Sequence, residues 1–374
     1  MVRGVRLLAV VALAAALLGE DGGPLDRPEP KAVHDLVQAR NWASKVAAWD
    51  PAHVYTTFLS CREDRCAFGL GATGDGGRTW ARHPLPLDGF GARRPDLSAT
   101  RFRLSVLGPG VLRLWWPARQ PGPAWWSTDA GATWRSVPAA LPVVRSVPPG
   151  WVPLDTRADD APTGEYRLPV GDPATGAAAL LAVPALVAGV RVPDNSFDRE
   201  LWLTREGPDG GLLVSRDRGA SHQPVTPPWP DGPDATFPRV ALAPDGTVYL
   251  TASRVSRPEP LLARSTDGGL TWERFTPTGL GTARGPLRVG ILPDGALVVA
   301  SGEYLTVERF HVSRDGGRTF AEFPAAGYPR YSGGFVALPG GGYVTQDMIG
   351  DVAVDTLAVS DDLRTWRTLR PPTR

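Results

Sequence analysis

Five arginines in this chain, Arg62, Arg119, Arg157, Arg205 and Arg254, each follow a short run rich in β-branched or aromatic residues. A guanidinium is planar, permanently charged and forked, so several that converge can grip a carboxylate through paired hydrogen bonds. The chemistry such a set could do is recognition of an acidic group, on a glycan or on a protein segment. A second outcome is open at the same positions. Glu63, Asp64, Asp159, Asp160, Glu206 and Glu259 lie close by, and Glu303 and Asp347 take the corresponding place in the last two repeats. Solvated loop ends with local ion pairs would account for these charges equally, and each such pair contributes little.

Other reactive residues are sparse. The histidines are His34, His53, His83, His222 and His311, and none is paired at zinc-ligand spacing. Cys61 and Cys66 are the only cysteines. Without nearby histidines they are too few to hold a metal, and so close a pair suits a disulfide at a hairpin tip in an oxidising compartment. There is no Gly-x-Ser-x-Gly elbow, no Walker loop and no dinucleotide fingerprint. Neither a metal nor a cofactor is expected.

These residues must be positioned by something, and an internal repeat supplies it. Ser127-Thr-Asp129-Ala-Gly131-Ala-Thr133-Trp134 and Ser265-Thr-Asp267-Gly-Gly269-Leu-Thr271-Trp272 are two copies of one eight-residue pattern. Ser313 to Phe320, centred on Asp315, ends in Phe instead of Trp, and Thr73 to Trp80, centred on Asp75, begins with Thr. Ser215 to His222 around Asp217 is degenerate, and Ser360 to Trp366 around Asp362 is one residue shorter. Asp172 stands in the middle of the long gap between Asp129 and Asp217. In each copy Ser and Asp can bond nearby backbone N–H groups, Gly accepts a conformation closed to other residues, and the aromatic ring can pack between sheets. A second marker keeps the same register: Pro51, Pro109, Pro148, Pro193, Pro244, Pro293 and Pro339 precede the aspartates by 20 to 24 residues, and strand-like runs follow them.

Units of 43 to 54 residues, each read as strand A, proline turn, strand B, loop, strand C, box turn and strand D, predict an all-β chain. The expected architecture is a seven-bladed β-propeller of four-stranded antiparallel blades spanning 34–374, because one such unit cannot bury both faces alone. The alternative is a six-bladed ring with 140–190 as an insertion. Residues 34–50 would supply the first inner strand. Ahead of them, 20–33 reads as a polar, Pro-rich linker. Residues 1–19 read as a signal peptide, with Arg3 and Arg6 before an apolar run too short to span a bilayer comfortably. The expectation is an exported, periplasmic or extracellular monomer without stable membrane insertion. A formal net charge of +1 gives no large field for nucleic acid.

The repeat resembles that of the Asp-box (BNR-repeat) propellers, over Val54 to Trp366. That group includes sialidases, sortilin-type receptors, photosystem assembly factors of the Ycf48 type and secreted bacterial proteins without assigned activity. The resemblance implies that Asp75, Asp129, Asp217, Asp267, Asp315 and Asp362, with Trp80, Trp134, Trp272, Phe320 and Trp366, are structural and lie away from the ligand face. It also raises sialidase chemistry, which needs an arginine triad, a Tyr nucleophile and an acid/base Asp. Tyr166-Arg167-Leu168-Pro169 is similar to the motif that carries the first triad arginine, and Tyr331-Ser332 to the nucleophile's. Position argues against both, because Arg167 leads into the third box and not onto a first inner strand. The expected function is therefore a non-catalytic module that binds a protein or glycan through its B–C loops. A sialidase-like hydrolase and an assembly factor of the Ycf48 type are the alternatives.

Overall fold

A computed structural model describes residues 43–62, 65–87, 102–115, 122–154, 159–160, 166–184, 189–191, 200–204, 212–226, 228–229, 235–254, 261–280, 287–301, 309–329, 332–349 and 352–372. The chain divides into Met1–Ala39, which lies outside the described residues, and Arg40–Arg374. The signal-peptide and linker segments therefore fall outside them.

The chain is a seven-bladed β-propeller, all-β, with seven separate sheets following one another along the sequence. Blade 1 is Ala43–Ala48, Val54–Arg62, Arg65–Thr73 and Ala81–Pro84, each strand antiparallel to the next. Blade 2 repeats this order with Arg103–Gly108, Val111–Trp115, Ala124–Ser127 and Arg135–Val137. Blades 4 to 7 do the same and begin with Gly189–Arg191, Ala235–Leu242, Arg288–Ile291 and Ser332–Ala337. First strands of adjoining blades approach within 8 Å between Cα atoms (blades 1 and 2, 5 and 6, 6 and 7), so they surround the axis.

Buried side chains fall into seven clusters, one at each blade–blade interface. Leu70 of blade 1 packs with Leu112 and Leu114 of blade 2, and Trp115 of blade 2 with Val152 and Leu154 of blade 3. Leu181 meets Leu201 and Leu203, Trp202 meets Val248 and Leu250, Leu262 meets Leu297 and Val299, and Phe310 meets Phe335 and Tyr343. The seventh cluster joins Leu357, Val359 and Leu369 of the last blade to Ala48 and Val54 of the first. The alternation of apolar residues along each second strand feeds both neighbours at once, which is why a lone blade has no stable form. The ring closes without exchanging a strand, since all four strands of blades 1 and 7 are contiguous in sequence.

The six-bladed alternative is overturned, because strands within 143–183 form blade 3 of the ring. Blade 3 also departs from the expected strand order. Val143–Val144, ahead of Pro148, is not an inner strand but pairs in parallel with Ala178–Val183 at the outer edge. Val152–Pro153 is innermost, and Tyr166–Gly171 and Ala178–Val183 follow it outward. The backbone N–H of Leu180 donates to Pro142 O at 2.9 Å, and that of Val147 to Arg218 O at 2.8 Å, which ties the displaced segment to blade 4.

Candidate functional site

Every blade has two chemically different ends. At one end lie the proline turns and the boxes, and their polar groups are used by the turn itself. In blade 5 the Ser265 hydroxyl donates to Asp267 Oδ1 at 2.7 Å and accepts from the Gly269 N–H at 2.7 Å. The Thr271 N–H and hydroxyl donate to the same carboxylate at 2.9 and 2.5 Å. The same pattern recurs at Asp75, Asp129, Asp217 and Asp315. In the short seventh turn Asp362 Oδ1 accepts from Ser360, Arg364 and Thr365, and the Asp362 N–H donates to Ser360 Oγ at 3.3 Å. In the third, the Thr175 hydroxyl bonds Asp172 Oδ2 at 2.5 Å. The Thr271 hydroxyl and N–H, with the Ser265 hydroxyl, hold Asp267 down at about 2, and Ser221 and Ser215 do the same for Asp217.

The aromatic residue of each box is a wedge between blades. Trp272 meets Trp202 of blade 4 edge to face at 6.4 Å. Trp134 packs on the blade 1–2 cluster, Trp80 on the 7–1 cluster, Phe320 on 5–6 and Trp366 on 6–7. Gly131 shows why its position must be glycine: φ is +88°, and a Cβ would overlap Cδ2 of Leu70 in blade 1. Arginines complete the docking. Arg113, fully buried, donates to the carbonyl oxygens of Gly176 in blade 3 and Pro138 (3.2 Å), and burial without a carboxylate lowers its pKa to about 10. Arg367 donates to Pro51 O at 3.2 Å across the closure.

The opposite end carries the B–C connections. Arg62 and Arg254 close the second strands of blades 1 and 5 there. Their side chains, together with Arg119, Arg157, Arg205 and Tyr331, lie outside the described residues. Cys61 stands directly opposite Cys66 in the first hairpin. Arg167 faces Ala182 and Asp159 in register, in the strand that enters the third turn and not on a first-blade inner strand.

A feature of this end escaped the sequence reasoning. One can count from the second-strand residue that faces each box Ser or Thr: Val54, Leu112, Leu201, Val248, Leu297 and Tyr343. Three residues further along, the innermost strand presents Lys45 opposite Thr57, Arg103 opposite Trp115, Arg239 opposite Thr251 and Arg288 opposite Ala300. Blades 1, 2, 5 and 6 thus place a cation at one level around the axis, towards the B–C end. At the same level blade 4 has Gly189 opposite Thr204, and blade 3 has Asp159 opposite Arg167. Blade 7 has a bulge between Ser332 and Phe335. Arg103, Arg239 and Arg288 are half-buried. The Arg103 guanidinium sits 5.8 Å from the Trp115 ring. Arg288 reaches blade 7, where Gly334, at φ +94°, leaves room for it; a Cβ there would overlap the guanidinium. The signal was positional. Each of these cations precedes its turn proline (Pro51, Pro109, Pro244, Pro293) by five or six residues.

No protein family and no curated protein matches the chain. Solved structures do. A puromycin hydrolase superposes with a TM-score of 0.51 at 17% identity, over 90% of this chain and 55% of its own. YCF48 from Cyanidioschyzon merolae gives 0.39 at 16%, over 68% and 90%, and a Hadza microbial sialidase gives 0.38 at 13%, over 87% and 64%. The chain shares its fold with the first of these. At such identities the likeness extends to fold alone, and this chain spans only about half the length of the hydrolase.

Proposed function

We propose that this protein is a non-catalytic binding propeller that takes a carboxylate-bearing ligand at the B–C end of its channel. One observation carries this: Lys45, Arg103, Arg239 and Arg288 stand at a single level of the innermost strands at that end. Guanidinium groups held by packing lose less freedom on binding a carboxylate than exposed, freely rotating ones. The aspartates of the other end are held by their own turns and offer a ligand little. Arg62 and Arg254 end the second strands of blades 1 and 5 at the same mouth, and Arg119, Arg157 and Arg205 belong to the same set by their sequence positions. The test is titration with citrate at low and high salt. Salt-sensitive binding, weakened in Arg239→Gln, supports the assignment; no binding at low salt removes it.

A sialidase-like activity is the second reading, resting on Tyr166-Arg167-Leu168-Pro169 and on Tyr331. Arg167 enters the third turn, which speaks against it. Hydrolysis of a fluorogenic sialoside, abolished by Tyr331→Phe, would reinstate it. Export through residues 1–19 is part of the proposal, as is a disulfide between Cys61 and Cys66. Residues directly opposite in an antiparallel pair stand within disulfide reach. Thiol titration of the exported, unfolded protein with and without reductant reads the disulfide.

A further inference from the structure

Blade 1 lacks a side chain where the other box-bearing blades have one. Two residues before the box Ser, blades 2, 4, 5, 6 and 7 place Trp125, Leu213, Ala263, His311 and Ala358. Blade 1 has Gly71 there, opposite Thr56. The φ of Gly71 is not positive, so its backbone does not require glycine. A glycine inside such a strand marks a close approach. That approach comes from residues beyond the last strand, Arg367–Leu369. A Cβ on Gly71 would lie 2.8 Å from Pro372 Cγ and 3.0 Å from its Cδ. Pro371 and Pro372 are both buried. Leu369 fills the space over Gly77 in the box turn of the same blade, so the segment from Leu369 to Pro372 runs along blade 1.

The hydroxyl beside this segment stands apart from its counterparts. Thr56 is fully buried, and its Oγ1 has no hydrogen-bond partner among the described residues. At the matching position the other box-bearing blades have Leu114, Leu203, Leu250 and Val299, which need none, or Thr345, whose hydroxyl donates to Gly334 O at 3.1 Å. An unpaired buried hydroxyl is unfavourable, and a seam built for packing alone would carry Leu or Val there, as four blades do. Thr56 Oγ1 would stand 3.1 Å from the same Cβ on Gly71, so the Pro372 ring and the hydroxyl converge on one glycine. Proline is the residue that cannot answer this hydroxyl, because its Cδ takes the place of the N–H hydrogen. Two consecutive prolines are also held extended by their own rings, so they fill the recess at little ordering cost.

We propose that the recess over Thr56 and Gly71 is a docking site for an extended peptide segment of a partner protein, a proline followed by a residue that donates its backbone N–H to Thr56 Oγ1. Pro371 and Pro372 of the chain itself occupy the recess as a weaker ligand, which the partner segment displaces. The site lies in the seam between blades 7 and 1, where Leu369 packs with Val54. It is separate from the carboxylate site proposed above and does not depend on it.

The experiment uses the full chain and two fluorescein-labelled probes, Thr-Leu-Arg-Pro-Ala-Thr-Arg and Thr-Leu-Arg-Pro-Pro-Thr-Arg, the second being the chain's own sequence from Thr368. Pro371→Gly/Pro372→Asp loosens the segment that fills the recess. That variant should bind the Ala probe about tenfold more tightly than the Pro probe, the worth of one hydrogen bond to a buried acceptor. The parent should bind both more weakly, because its own segment competes. Thr56→Val should erase the difference between the probes, and Gly71→Val should abolish binding of both. A loosened variant that melts close to the parent and binds neither probe overturns the docking site. So does a preference for the Ala probe that survives Thr56→Val. If the loosened variant does not fold, Pro372→Ala in the parent decides. Its melting temperature, relative to the matching Pro372 chain, should be higher with Thr56 than after Thr56→Val; the same change in both backgrounds overturns the proposal. Concentration-dependent self-association of the parent, lost in Gly71→Val, would make a second copy the occupant and overturn the partner segment.

Discussion

The backbone N–H of Gly340 donates to the carbonyl oxygen of Trp49 at 2.7 Å, joining the seventh blade to the first. Around it, Pro372 lies against Gly71, and Leu369 fills the cluster formed by Ala48, Val54, Leu357 and Val359. Because no strand is exchanged between these blades, side-chain packing and a few hydrogen bonds are what keep the ring shut. Leu369→Ala should therefore cost about 2–5 kcal/mol, the usual cost of deleting a buried leucine. Equilibrium unfolding in urea measures it, and a change below about 0.5 kcal/mol would mean that closure is carried elsewhere.

Box turns make paired predictions. Ala130 adopts φ +57° and Gly131 +88°. Ala130→Gly should stabilise by up to about 1 kcal/mol by relieving a left-handed alanine. Gly131→Ala should destabilise by more than that, because its Cβ would also overlap Leu70. Opposite signs at neighbouring residues, read by thermal melting, would separate turn strain from any general intolerance of the segment.

Arg113 is a cation buried without a carboxylate, held by the carbonyl oxygens of Gly176 and Pro138. Arg113→Ala leaves both oxygens unsatisfied and opens a cavity between blades 2 and 3. The expected loss is roughly 2–4 kcal/mol. Hydrogen exchange should show the damage concentrated in 166–183, where Gly176 anchors the irregular blade.

Acid should unfold the protein in two stages. Burial lowers the pKa of His222 and His311 below the ordinary 6.5. Their unfolded forms therefore bind protons first, and stability present above about pH 6.5 declines as pH falls through that range. The carboxylates Asp217 and Asp267 are held at about 2 in the folded protein by hydroxyl and backbone donors. Their contribution is intact above about pH 4 and disappears as pH drops towards 2. Melting temperature against pH should show both declines, and His311→Gln should shrink the first one only.

Much of the fold was legible because the box is local. Asp267 finds its partners at Ser265 and Thr271, within four residues, so residue types alone encode the turn. The outer strand of blade 3 was not legible. Val143 pairs in parallel with Leu180, 37 positions later, and no short-range pattern distinguishes that from an inner antiparallel strand. Arg113 looked like any solvated arginine within Leu112-Arg113-Leu114; only the approach of Gly176 from the next blade buries it. The cations of the inner strands were visible individually. Their shared spacing of five or six residues before a turn proline was there to be read, but the register that sets them at one level comes from pairing with the second strands.

The central claim is that the B–C mouth of the channel, and not the box end, receives an acidic ligand. Hydrogen–deuterium exchange with and without hexaglutamate tests it most directly. Slower exchange is expected in Ala43–Ala48, Arg103–Gly108, Ala235–Leu242 and Arg288–Ile291, with the box turns at Asp75, Asp129, Asp267 and Asp315 unchanged. Protection confined to those turns or to the outer strands, with the inner strands unaffected, would contradict it.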